Sequence, residues 1–250
     1  MRITDDKCDP GLYTPMLLKL WCVPRSLSTA YEKMMEKRGD FIVFGEPYCN
    51  CYLDTAVFSS GDDNSARPFS QVTDDLLKLS STSRVFVKEM AHHVVGYIGD
   101  EVFERGENTF LIRDPRLSIP SLYTILNDYS ERDTGFDSQL ELFEKTRTRT
   151  GRVPVVIDGE ALRQDPVRVV TAYFGALGLD PMLDALNWQK GGRSDWAGRE
   201  EWHTAAGNST GFAPPACEPD LDRFPLRVRQ TIERCLPIYE HLLGFAVHGG

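Results

Sequence analysis

An α/β fold in three layers, with a central, mainly parallel sheet of about five strands flanked by helices, is what the sequence predicts. Three observations carry it. Short, nearly continuous apolar runs recur along the chain, as expected of strands covered on both faces of a parallel sheet. Most are followed by a loop and then by a stretch of helical period, the alternation of a parallel α/β sheet. A length of 250 residues is enough for a substantial core and fits one domain better than two. We assign 1–15 to an N-terminal extension and 16–250 to a single domain.

The elements follow in order. Met16-Leu17-Leu18-Lys19-Leu20-Trp21-Cys22-Val23 reads as the first buried strand. From Ser28 come good helix formers with an apolar stripe at Tyr31, Met34 and Met35 and a stop at Arg38-Gly39-Asp40. Further strands are expected at 41–44, 84–90, 109–112 and 153–157. Longer helical patterns occupy 117–128, 136–149, 166–177 and 226–243, and Pro237 is expected to kink or break the last. Residues 61–68 form a polar loop. Residues 191–219, rich in Gly, Pro, Ser and charge, are too long for an idle connector and read as a lid or substrate loop.

Composition excludes several function classes. Apolar residues make up 41% and charged residues 26%, as in a globular protein. A net charge of −9 disfavours general binding to nucleic acid or anionic membrane, so an anionic ligand needs a local positive pocket. No segment approaches ~20 apolar residues and no signal-peptide pattern opens the chain, so a cytoplasmic location is the expectation. Six cysteines lack the pairing of a zinc site or a disulfide scaffold. Cys49-Asn50-Cys51 could hold one edge of a metal, but no second Cys/His pair completes it, and two small side chains beside a loop, with no metal, is the expected reading.

The chemistry concentrates in Pro24-Arg25-Ser26-Leu27-Ser28-Thr29, where a buried strand delivers a cation and three hydroxyls to the start of a helix. Free N–H groups of a first helical turn and the positive dipole end favour an anion, and Arg25 can fork onto two oxygens. A helix capped by Ser28 beside a surface Arg25 would read the same way. The loop lacks the Gly-x-x-x-x-Gly-Lys pattern of nucleoside triphosphatases.

The loop resembles the 5′-phosphosulfate loop of sulfotransferases that use 3′-phosphoadenosine 5′-phosphosulfate (PAPS), with Leu27 where that family usually has Gly. A second resemblance is Arg113 at a strand end with Ser121 eight positions on, which in the family grip the 3′-phosphate. A third is Gln189-Lys190-Gly191 followed by Ser194-Asp195-Trp196, similar to the loop that folds over the same phosphate; Gln189 replaces an Arg, leaving Lys190 and Gly191, with Arg193 a substitute. Gly159-Glu160-Ala161-Leu162 resembles a Tyr-Glu-Asp-Leu segment, and Ala30 stands where many members have an aromatic beside Tyr31. The resemblance implies a P-loop-like fold, PAPS as co-substrate, and donor binding by Arg25, Ser26, Leu27, Ser28, Thr29, Arg113, Ser121, Lys190 and Gly191.

Sulfuryl transfer needs positive charge on the moving group and a base for the acceptor's proton. The resemblance gives Arg25 the charge role, with Lys88 assisting. The base is Glu46, in a Glu-Pro resembling that of carbohydrate and bacterial members, or His92 or His93, which follow Met90 at the family's usual His position. The expected partner is a small-molecule acceptor with a hydroxyl or amine, and homo-oligomer formation is left open. Two other readings stand beside it: a protein of this fold with altered nucleotide use or non-transfer chemistry, and a non-catalytic nucleotide-binding module.

Overall fold

Side-chain alternation sets the first strand. In the computed structural model, which describes residues 13–57, 68–192, 200–214 and 217–247, β1 runs Met16–Cys22 and is buried from its second residue. Leu17 and Trp21 enter one apolar cluster, while Leu18, Leu20 and Cys22 enter another. That is the period-2 placement of a strand covered on both faces. The helix α1 (Ser28–Arg38) then buries the expected stripe of Tyr31, Met34 and Met35 and ends at Gly39, whose φ of 75° is the left-handed turn common after helices.

The remaining strands are β2 (Ile42–Gly45), β3 (Arg84–Met90), β4 (Glu107–Ile112) and β5 (Val155–Asp158). They pair in the order β2-β3-β1-β4-β5, every pair parallel. The predicted five-strand sheet is therefore present and wholly parallel. The last strand starts later than expected because Pro154 offers no N–H to a ladder.

Between the strands lie α2 (Cys49–Val57), α3 (Phe69–Ser80), α4 (Ala91–Val94), α5 (Glu101–Glu104), α6 (Pro115–Tyr123), α7 (Phe136–Thr150), α8 (Gly159–Gln164) and α9 (Pro166–Ala176). α10 (Glu200–Gly207) and α11 (Leu226–Leu243) follow. One cluster joins β1 to α3, α7 and α11, and the other joins it to α1 and α9. The sheet is thus the middle of three layers.

Three expectations change. Residues 117–128 give way to α6, which starts two residues earlier because Asp114 caps it, its carboxylate accepting from the Arg116 N–H at 2.8 Å. Cys49 and Cys51 lie on a helix instead of beside a loop. Pro237 does not break α11, and it is exposed, so the missing N–H faces water. Most of the polar loop at 61–68 and residues 193–199, 215 and 216 of the expected lid lie outside the described residues. Among those described, no helix is long and apolar enough to cross a membrane.

Candidate active site

In an open parallel sheet, loops at the carboxyl ends of the strands form a crevice where the strand order reverses. Here the chain leaves β1 for β2 and β3 on one side and for β4 and β5 on the other, so the reversal falls between β1 and β4. Above it lies a cavity of about 590 Å³, within the usual range for small-molecule sites. Arg25, Leu27, Ser28 and Thr29 line it from the end of β1, and Glu46, His92 and His93 from the ends of β2 and β3. Arg113 and Ser121 line it from β4 and α6. Sequence positions nearly a hundred residues apart are brought to one place.

The loop after β1 is curled by left-handed backbone at Arg25 (φ 61°) and Leu27 (φ 74°) on either side of Ser26. Such turns gather successive N–H groups into an anion-binding concavity. Leu27 precedes α1 and no side chain caps the helix. Ser28 therefore does not act as its cap, and the first-turn N–H groups and dipole face the cavity. Leu27 occupies a conformation that glycine adopts without strain.

Two guanidinium groups meet there. Arg25 Nε donates to Ser121 Oγ at 2.9 Å, and Arg113 Nη1 donates to the Arg25 carbonyl at 2.5 Å. Burial lowers the pKa of Arg25, and the neighbouring Arg113 charge lowers it further. Burial likewise lowers Arg113, opposed by Glu160, whose carboxylate accepts from Arg113 Nε at 3.1 Å. A half-buried and a buried guanidinium side by side, with one carboxylate on Arg113, favour an anion in the cavity. The local alternative, Arg113 paired with Asp114, does not occur, because Asp114 binds Arg116.

On the other side of the cavity Lys88 is buried between Glu46 (2.5 Å) and Glu32 (3.1 Å). Burial is the largest effect on Glu46 and opposes its ionisation, but the Lys88 ammonium and its hydrogen bond, with His93 and His203, together outweigh it and carry its pKa down to about 2. Lys88 is raised by the two carboxylates despite its own burial. Glu46 itself sits at φ 50°. Gly45 is required beside this pair, since a Cβ there would lie 2.5 Å from a Glu32 carboxylate oxygen.

The histidines belong to α4, not to an open loop. Burial, with the nearby His93, pushes His92 down to about 3, and its Nδ1 has no hydrogen-bond partner among the described residues. His93 Nδ1 bonds Glu89 Oε1 at 2.8 Å. Glu89 is itself fixed by the N–H groups of Tyr48 and Met90, each at 2.8 Å. A carboxylate that orients an imidazole is the arrangement used to fix a tautomer.

Four expected residues stand apart from the cavity wall. Ser26 is fully buried with no partner for its hydroxyl, and Lys88 reaches the cavity only through Glu46. Lys190 and Gly191 are exposed and outside the lining. The Gly191 N–H donates to Gly207 and its carbonyl accepts from Lys33 at 3.0 Å, tying that segment to α10 and α1. Arg193, Asp195 and Trp196 lie outside the described residues.

Sequence reasoning missed Trp202, His203 and Phe212, which line the cavity from α10 and the segment after it. The Trp202 carbonyl accepts from Arg25 Nη1 at 2.8 Å, and His203 Nδ1 bonds Thr29 Oγ1 at 3.3 Å. Their one sequence signal was an aromatic pair inside the expected lid. Tyr31 is fully buried, edge-on to Tyr173, and faces the core, not the cavity. Gly159 marks a close approach, its Cβ position lying 3.2 Å from the Ile112 carbonyl oxygen and 3.4 Å from that of Ser26.

Comparison with known proteins gives the family and the fold. A family model described as a sulfotransferase domain matches residues 16–243. Two curated relatives from Arabidopsis thaliana, branched-chain-amino-acid aminotransferase-like proteins 1 and 2, are 25% and 26% identical over 94% and 90% of the chain. The chain spans less than half of these relatives, 43% and 41%. Among solved structures, the sulfotransferase domain from the Synechococcus PCC 7002 olefin synthase superposes with a TM-score of 0.52 at 15% identity. That match covers 93% of this chain and 97% of that one, a likeness of fold.

Proposed function

The chain belongs to the sulfotransferase domain family, and from that premise we propose that it transfers a sulfuryl group from PAPS to a hydroxyl or amine of a small-molecule acceptor. One observation carries the reading: Arg25, half-buried, and Arg113, buried, repel one another and face an uncapped helix start across one cavity. In this reading the α1 N–H groups, Ser28, Thr29 and Arg25 bind the 5′-phosphosulfate. Arg113 and Ser121 bind the 3′-phosphate. Trp202 and Phe212 supply aromatic surface for adenine where Ala30 and Gly159 cannot.

The sulfur–oxygen bond to the donor phosphate breaks as a bond forms from sulfur to the acceptor heteroatom. The electron pair leaves with 3′,5′-adenosine bisphosphate, and the acceptor's proton passes to a base. His93, oriented by Glu89, is the base we favour, since Lys88 holds Glu46 at about 2 and burial holds His92 at about 3, both too low for strong bases. Glu46 and Lys88 position the acceptor side, and Arg25 stabilises charge developing on the bridging oxygen. Altered nucleotide use is the second reading, favoured by the tight backbone packing at Gly159, where a Cβ would crowd the Ile112 and Ser26 carbonyls.

The experiment is a thermal shift. At about 100 times its Kd, 3′,5′-adenosine bisphosphate should stabilise the fold by about 2.7 kcal/mol, or roughly 5–10 °C. Arg113→Ala should abolish the shift. No shift at millimolar bisphosphate, with a shift from another adenine nucleotide, would favour altered nucleotide use; none from either would refute nucleotide binding.

A further inference from the structure

We propose that Glu46, Cys49 and His93 form a binding site for a thiophilic divalent cation such as zinc. One ligand atom from each lies within 4.8 Å of the other two. All three residues line the cavity, and Cys49 and His93 are buried. They come from the turn after β2, the first residue of α2 and the short helix α4, so Cys49-Asn50-Cys51 supplies one ligand, not a pair.

The donor set selects the ion. One thiolate, one imidazole and one carboxylate suit a borderline-soft cation, whereas magnesium and calcium take oxygen. Three protein ligands at a cavity wall leave a fourth position open to the cavity. Ligands about 2.0–2.3 Å from zinc sit roughly 3.3–3.8 Å apart. The three groups must therefore close by at most about an ångström, and Glu46, the most exposed of them, has a second carboxylate oxygen besides the one held by Lys88.

The surroundings support a dication. Glu89 holds the His93 ring through Nδ1 at 2.8 Å, which assigns Nε2 to the metal. This is the outer carboxylate that metal-bound histidines usually have. Glu32, Glu46 and Glu89 carry three negative charges against the single ammonium of Lys88. Binding passes the thiol proton to solvent.

A cation on Nε2 takes the lone pair that the proposed base needs, so bound metal blocks transfer; the assignment itself does not depend on sulfuryl transfer, and its test uses metal alone. Cobalt titrated into the metal-free protein should give a thiolate-to-cobalt absorption band at one equivalent, displaced by zinc. Cys49→Ala should abolish the band and His93→Ala should weaken binding on the order of 100-fold, while Cys51→Ala leaves both unchanged. No band at millimolar cobalt, or an equal band in Cys49→Ala, overturns the site. Should the variants misfold, the native protein decides. Zinc should slow alkylation of Cys49 at least tenfold while sparing the exposed Cys217, and equal rates with and without zinc refute the proposal.

Discussion

Leu27 holds a backbone conformation that costs a side chain about 1 kcal/mol or more. Leu27→Gly should therefore be neutral or stabilising by up to about 1 kcal/mol, because relief of strain offsets added chain entropy. Leu27→Val should destabilise by more than 1 kcal/mol, since a β-branched residue tolerates this region least. Urea midpoints in the order Gly, Leu, Val would bear this out, and Val equal to Leu would not. The departure from glycine at this position was legible in the sequence, but the φ that gives it meaning was not. Glu32 shows the same limit: within α1 it is an ordinary helix former, and only the close approach of Gly45 and Lys88 makes it a partner of the site.

Elements were legible where their period was clean. β1 and the stripe of α1 could be read because burial on both faces, or on one, writes itself into the order of apolar residues. α2 was not, because Cys49 to Val57 mixes small, aromatic and polar residues without a stripe. Lys19 is the polar intruder in β1, and burial lowers its pKa to about 7 while its ammonium serves the carbonyls of Val102 and Arg105. The unfolded chain, titrating near 10.5, binds the proton more tightly across the interval above 7. Stability from this group therefore rises with pH. Between pH 7 and 8.5 the gain should be on the order of 1–2 kcal/mol, and Lys19→Met should flatten that rise in chemical-denaturation profiles. A rise that survives the substitution would assign the proton elsewhere.

At the scale of the molecule, the C-terminal helix is bound to the far side of the sheet. Tyr239 Oη donates to Asp158 Oδ1 at 3.0 Å, and the same carboxylate caps α8 by accepting from Ala161 N–H at 2.8 Å. Past α11 the chain bridges β5 through Val247 N–H to the Val156 carbonyl at 2.9 Å. Tyr239→Phe should cost roughly 1.5–3 kcal/mol, as expected for a bond to a charged group, lowering the urea midpoint with an unchanged slope. An unaltered midpoint would show that α11 is held by apolar packing alone. The sequence by itself determined the layered α/β class and the parallel sheet, and it singled out the loop we propose binds an anion together with Arg113 and Ser121 downstream, because periodicity and spacing are local properties of a chain. Only the tertiary structure decided which groups meet: Arg25 with Arg113, Lys88 with Glu32 and Glu46, His93 with Glu89, and the Trp202 carbonyl with Arg25. The physical reason is that a charge or a base acquires its properties from burial and from neighbours distant in sequence, and strand order brings those neighbours together only when the sheet closes.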